Sequence, residues 1–333
     1  MATGVAGRLI EADSIEVLVL VDNVTDSLSS VPRDVRNETA VLRKAGSLPV
    51  SAGEYRCCAH HGLSLVITVK SGREKQTLLF DAGPEAYAVS RNGALLKAPF
   101  GDASAVVLSH GHWDHAGGLV EAIRLIAANN EGRNIECHVN PGMFAERGML
   151  RPGSECLLQK PVPIPPELIE AGAFVVNDAE PRLVCDGLFY LSGEIPRVTR
   201  YERGLPGHVR RASDGMSWEP DPLIMDERYL AVHVKKKGIV VFTACSHAGV
   251  VNVLSDARNV FDGVPLHAVM GGFHLSGEDV EAIIPETVKD MQAFRLKRIV
   301  PAHCTGWRAV HALVNAFGAD VIVPSAVGRQ FMF

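Results

Sequence analysis

Ser109-His110-Gly111-His112-Trp113-Asp114-His115-Ala116-Gly117-Gly118-Leu119 places four potential metal ligands within six residues, directly after the apolar run Ala105-Val106-Val107-Leu108. A strand ending here sets His110 and His112 two residues apart on one face, because side chains alternate along a strand. Asp114 and His115 then fall in the turn before Leu119, Ala122, Ile123 and Ile126, whose spacing predicts an amphipathic helix. Two ligands can face one ion and two another. Neutral imidazoles and a carboxylate are donors that zinc, iron and manganese accept, zinc at near-tetrahedral geometry. A strand, a metal-binding turn and a helix in succession point to an α/β protein.

The rest of the chain bounds this reading. With 333 residues and 47% hydrophobic content, the chain can bury a large core, and its length suits one elaborated domain or two. No segment reaches eighteen uninterrupted apolar residues, and Arg8, Glu11, Asp13 and Glu16 leave no apolar signal-peptide core at the N-terminus. The expectation is a cytoplasmic protein without a membrane partner. Seven cysteines, odd in number and without a C-x-x-C pair, read as free thiols in a reducing compartment. A net charge of −5 and a pI near 6.2 give no global attraction to nucleic acid. The expected partner is a small molecule, whose anionic groups would need local contacts.

Strands are expected at Ile15–Val21, Leu63–Val69 and Thr77–Phe80, with Ser71-Gly72 turning between the last two, and again at Tyr229–Val234 and Ile239–Thr243 around a lysine turn. Val310, Leu313, Val314 and Phe317 predict a helix stopped by Gly318, followed by a strand at Val321-Ile322-Val323. Ser276 and Asp279 suggest a capping box opening an earlier helix, and Pro285 suits a first helical turn. Residues 141–225 hold eleven of the nineteen prolines and read as loops and short elements. Such a stretch forms a lid or pocket wall, or mediates subunit contacts in a homo-oligomer.

The histidine cluster and the Gly-Gly-Leu after it resemble the metallo-β-lactamase fold superfamily. So do Leu78-Leu79-Phe80-Asp81-Ala82-Gly83-Pro84, Val240-Val241-Phe242-Thr243-Ala244-Cys245-Ser246-His247 and Val300-Pro301-Ala302-His303. Further stretches are similar to the branch that includes the archaeal dihydropterin and ribofuranosylaminobenzene-phosphate condensing enzyme: His61-Gly62-Leu63-Ser64, Gly193-Glu194-Ile195-Pro196-Arg197, Cys245-Ser246-His247-Ala248-Gly249, Gly271-Gly272-Phe273-His274-Leu275 and His303-Cys304-Thr305-Gly306. The resemblance implies a four-layer αββα sandwich spanning residues 1–333 as a single domain, with 141–225 as its insertion.

It also implies a site. His110 and His112 would bind a first metal, Asp114 and His115 a second, and His303 would complete the second. The chain departs from the family where a histidine is usual and Glu194 stands, and where a bridging aspartate is usual and Cys245 stands, with His247 two residues on. Glu194, Cys245 and His247 are therefore all candidate ligands. Zinc is the expected metal, as one or two ions, with manganese or iron as alternatives.

His274 is a candidate to assist the leaving group, and His61 to border the substrate. Arg197, next to the Glu194 motif and first of five arginines in fifteen residues, is the candidate contact for an anion. The leading expectation is a metal-dependent hydrolase of a small lactone, ester, amide or phosphoester, in which Asp114 orients metal-activated water. The alternatives are a pterin-diphosphate condensing synthase and a non-catalytic metal or ligand sensor.

Overall fold

The computed structural model describes residues 3–333. Alternation along the first long strand shows how the layers are built. In Ser14–Val21, Val17 and Val19 belong to one apolar cluster and Leu18 and Leu20 to another. The strand is thus covered on both faces, as an inner layer must be. Val17 and Val19 pack with Phe80 and Val107 against Leu230, Val232, Phe242 and Met270 of a second sheet. Leu18 and Leu20 pack on helices Glu38–Ala45, Ala86–Leu96 and Leu119–Asn129 through Leu42, Val89 and Ile123. The second sheet repeats the pattern: Val241, Val269 and Ile299 meet Leu254, Val288 and Leu313 of helices Val250–Val260, Ile284–Met291 and Trp307–Phe317. The expected helix–sheet–sheet–helix sandwich is present.

The first sheet has eight strands, in spatial order Val35–Arg36, Gln330–Met332, Ser14–Val21, Ser64–Ser71, Glu74–Phe80, Ala103–Val107, Glu136–Val139 and Phe174–Asn177. The last four run parallel. The second has six: Arg182–Val184, Phe189–Leu191, Leu230–Val234, Gly238–Phe242, Leu266–Gly271 and Arg298–Pro301, again with the final strands parallel. Parallel strands leave their carboxyl ends on one edge, where crossover turns gather polar residues. Asp81, the His110 cluster, Cys245, His274 and His303 all follow such ends. Residues 141–225 contribute the strand Phe174–Asn177, two strands of the second sheet, and a separate four-stranded sheet of Trp218–Pro220, His208–Arg211, Arg147–Met149 and Leu157–Leu158.

Three local expectations are corrected. The segment Val321-Ile322-Val323 is not a strand but a single bridge from Ile322 to Ile299. Pro324 has no N–H with which to prolong the pairing. Ser276 and Asp279 do not cap a helix. Helix Ile284–Met291 starts later, with Pro285 in its first turn, while Glu281 accepts from the Gly277 N–H and Asp279 faces Arg151 at 3.4 Å. Finally, the strand before the histidine cluster stops at Val107, so His110 and His112 converge from a loop rather than from one strand face.

Candidate metal centre

Ser109 to His112 form a loop whose hydrogen bonds assign each imidazole a tautomer. The Ser109 backbone N–H and hydroxyl donate to the two carboxylate oxygens of Asp81, at 2.7 and 2.8 Å. With its proton so committed, the Ser109 oxygen accepts from His110 Nδ1 at 2.9 Å, which leaves Nε2 of His110 with a bare lone pair. On the other side, His208 donates through Nδ1 to the Asp221 carbonyl at 2.8 Å. Its Nε2 is then an acceptor for His112 Nε2, 3.0 Å away, so His112 Nδ1 is bare as well. These two bare nitrogens face each other at 3.1 Å. Two lone pairs so placed repel unless a cation lies between them, and two nitrogens on one tetrahedral zinc stand about 3.3 Å apart. His247, whose ring nitrogens are both buried and without partners, lies within 4.8 Å of both and makes a third donor.

A second group adjoins the first. His115 Nδ1 donates to Asp81 at 2.7 Å, a carboxylate hold that orients the ring and sends Nε2 towards Cys245 Sγ, 3.3 Å away. His303 donates through Nδ1 to Asn23 Oδ1 at 2.9 Å and leaves Nε2 buried without a hydrogen-bond partner, 3.4 Å from Asp114 Oδ2. Asn23 also donates to the His303 carbonyl and takes the Gly62 N–H, joining the two sheets below the site.

The charge states suit a cation. Burial, reinforced by neighbouring imidazoles, holds His110 and His247 far below the ordinary histidine value; burial does the same for His112. All three are neutral and ready to ligate. Burial would also depress His115, but Asp114 and Asp81 on its two sides push it up to about 9. Burial raises Asp114, yet His115 and His303 outweigh it and hold its carboxyl well below the usual range. The carboxylate of Asp114 thus faces His115 and His303 in its anionic form. Backbone strain collects here too: Asp81, Ser246, His274 and His303 all have φ between 45° and 58°. Non-glycine residues hold that conformation only where the surroundings enforce it.

Among known proteins, the model of the metallo-beta-lactamase superfamily matches residues 60–166, which contain the whole histidine cluster. A solved metal-dependent hydrolase of the beta-lactamase superfamily superposes with a TM-score of 0.67 at 22% identity, covering 95% of this chain and 98% of that one. This is a metallo-β-lactamase fold. Over most of its length the chain is also similar to a Methanocaldococcus jannaschii protein, 7,8-dihydropterin-6-methyl-4-(beta-D-ribofuranosyl)-aminobenzene-5'-phosphate synthase: 28% identity over 264 residues, 79% of this chain and 86% of the relative. An uncharacterized protein of the same organism is 29% identical over 264 residues, covering 77% and 88%.

In this metallo-β-lactamase fold, His110, His112, Asp114, His115, Cys245, His247, His274 and His303 all come together around one cleft. The adjoining cavity, of about 350 Å³, is lined by Asn23, His61, Trp113, Met149, Gln159, Leu205, His274 and Cys304 among others. His61 stands at its mouth, 3.5 Å from Asp114. His274 has both ring nitrogens buried and lies beside His247, with ring centroids 4.3 Å apart and planes tilted by 54°.

Two candidates are not brought in. Glu194 is exposed and belongs to none of the ligand groups; His247 occupies the place it was expected to fill. Arg197 spends its guanidinium on the carbonyls of Ile195 and Leu223 and does not line the cavity. Of the arginines near it in sequence, Arg210 pairs with Glu219 and Arg211 with Glu146. Sequence reasoning missed His208 and Cys304. His208 sits in the proline-rich middle, 96 residues from the ring it orients, with no local pattern to announce it. Cys304 adjoins His303 within the stretch His303-Cys304-Thr305-Gly306, which signalled the family branch but not a role for the thiol.

Proposed function

We propose that the chain is a metal-dependent hydrolase of a small substrate carrying a lactone, ester, amide or phosphoester, with zinc as one or two ions held by His110, His112 and His247 on one side and by Asp114, His115, Cys245 and His303 on the other. The observation that carries this reading is the pair of facing lone pairs on His110 Nε2 and His112 Nδ1, 3.1 Å apart. A bound divalent ion supplies the positive charge that polarises a carbonyl or phosphoryl oxygen, acidifies water and meets an anionic group.

The chain's own residues do the rest. Asp114, anionic and at the cavity edge, orients the attacking water through its carboxylate. His274 lies beside the ligands with free ring nitrogens and can hand a proton to a leaving group. His61 and Trp113 border the entrance, while Met149 and Leu205, from the 141–225 stretch, give the far wall an apolar surface. Arg197 is tied to backbone carbonyls, and no lysine or arginine lines the cavity among the described residues, so any positive charge the chain offers there comes from histidine.

A second reading, condensation of a pterin diphosphate with an aromatic amine, is favoured by the similarity to the archaeal synthase and by the apolar wall beside Trp113, which suits a flat ring. One experiment separates them. The zinc-loaded protein is offered lactone, ester and phosphodiester panels, and a pterin diphosphate with and without an arylamine. Hydrolysis without an added acceptor is the expected result. Product formed only when the amine is present would replace the hydrolase with the synthase, and a bound ion with no turnover of either panel would leave a sensor.

A further inference from the structure

We propose that Cys304 is itself a metal ligand, so that the position beside His115 and His303 carries two thiolates, from Cys245 and Cys304, and selects a thiophilic ion. This deepens the metal-dependent reading above and rests on it. The Sγ atoms of Cys245 and Cys304 lie 3.3 Å apart. Together with a ring nitrogen of His303 they form a group of three donors all within 4.8 Å of one another. That spacing matches ligands meeting on one ion, since sulfur binds zinc at about 2.3 Å and nitrogen at about 2.0–2.1 Å.

The surroundings fit a functional thiol better than a packing residue. Cys304 lines the cavity with His274 and His303, and its sulfur lies 3.5 Å from the Cys245 carbonyl, 3.3 Å from the Cys245 thiol and beside the His274 ring. The Nε2 of His303, buried beside it, has no hydrogen-bond partner. Space for the sulfur is made by a glycine: a Cβ on Gly272 would sit 2.6 Å from Cys304 Sγ and 2.4 Å from the Ala244 carbonyl. The left-handed backbone of His303, φ 47°, turns the following residue back to the cleft. A set with two soft sulfurs disfavours manganese and magnesium and favours zinc, cobalt or cadmium.

Cobalt(II) makes the sulfurs visible, because thiolate ligation adds a near-ultraviolet charge-transfer band that imidazole and carboxylate ligation lack. Metal-free protein, kept reduced by a phosphine rather than a thiol, is titrated with cobalt(II) as wild type, Cys304→Ser, Cys304→Ala, Cys245→Ser and the double serine variant. The expected result is a band that falls to roughly half in each single variant and vanishes in the double, while the visible ligand-field bands from the histidines persist throughout. Wild-type intensity in both Cys304 variants overturns the proposal. Ligand-field bands without any charge-transfer band overturn it while leaving the metal centre standing; no cobalt uptake by any variant removes both. Circular dichroism establishes that each variant is folded.

Discussion

Asp81 never faces the cavity, yet it decides how the ligands point. Its two oxygens take the Ser109 N–H, the Ser109 hydroxyl and His115 Nδ1, all within the buried core. Asp81→Asn turns one oxygen into a donor and must break at least one of these bonds. Zinc affinity, read by competition with a chelating dye, should fall about 10–100-fold, the range seen when such outer partners are removed; unchanged affinity would mean that the ring of His115 is held by packing alone. Asp114 acts directly. Asp114→Asn keeps the size and removes the charge, and turnover of an identified substrate should fall by roughly two orders of magnitude or more, with the circular dichroism spectrum intact. An undiminished rate would show that this carboxylate neither ligates nor orients water. At this scale the sequence was most readable, because His110, His112, Asp114 and His115 are neighbours in the chain. The tautomers were not, since they depend on Asp81, 28 residues from Ser109, and on His208, 96 residues from His112 and itself fixed by the Asp221 carbonyl.

The elements carry the site on strand ends, and their junctions are tight. Gly271 ends a parallel strand with φ 140°, and a Cβ there would lie 1.6 Å from the Thr243 carbonyl oxygen. Gly271→Ala should therefore destabilise the fold by about 3 kcal/mol or more; a urea midpoint equal to wild type would contradict this close approach. Helix Val250–Val260, which follows the Cys245 loop, is opened by a buried side chain from elsewhere: Glu202 accepts from the Val251 and Asn252 N–H groups at 2.8 and 2.9 Å.

Burial pushes Glu202 up to about 7 from an ordinary 4.5, although these donors and Thr199 pull it down. Between those values the unfolded chain is ionised and the folded one protonated. Its contribution is complete below pH 4.5 and is lost as the pH rises through 7, on the order of 3 kcal/mol at most. Glu202→Gln should flatten this part of the pH–stability curve, measured by urea unfolding from pH 4.5 to 8. Parallel curves for the two proteins would show that the carboxyl does not titrate in this window. Periodicity disclosed the helix itself, but not a cap supplied from 48 residues earlier in a proline-rich loop.

Across the whole molecule, the centre is shared between two sheets that meet only in space. Asp81 and His110 to His115 come from the first; Cys245, His247, His274 and His303 come from the second. An ion held by both would fasten the sandwich at one edge, so binding should stabilise the folded state by about 2.7 kcal/mol at a free concentration one hundred times Kd. Scanning calorimetry with and without a chelator reads this directly, and coincident transitions would contradict it. The apolar run Val17-Leu18-Val19-Leu20-Val21 within the strand Ser14–Val21 made the buried inner layers legible, because a residue that faces a helix and one that faces a sheet are both apolar and follow one another there without a polar break. The order of strands was not legible from that pattern, since pairing of Ser14–Val21 with Gln330–Met332 joins the two ends of the chain. The composition of the cavity wall was hidden for the same reason: Met149 reaches it from a short strand, and Gln159 and Leu205 from separate loops.

If the bare nitrogens of His110 and His112, 3.1 Å apart, serve a metal, the protein must hold one. Elemental analysis of tag-free protein, reconstituted with zinc, manganese and iron in turn and then dialysed, tests it most directly, with His110→Ala and His112→Ala beside the wild type. The expected result is at least one tightly held transition ion per chain, zinc foremost, and a clear loss of it in both variants. Wild-type protein that emerges from all three reconstitutions without stoichiometric metal, or variants that retain the wild-type content, would contradict it.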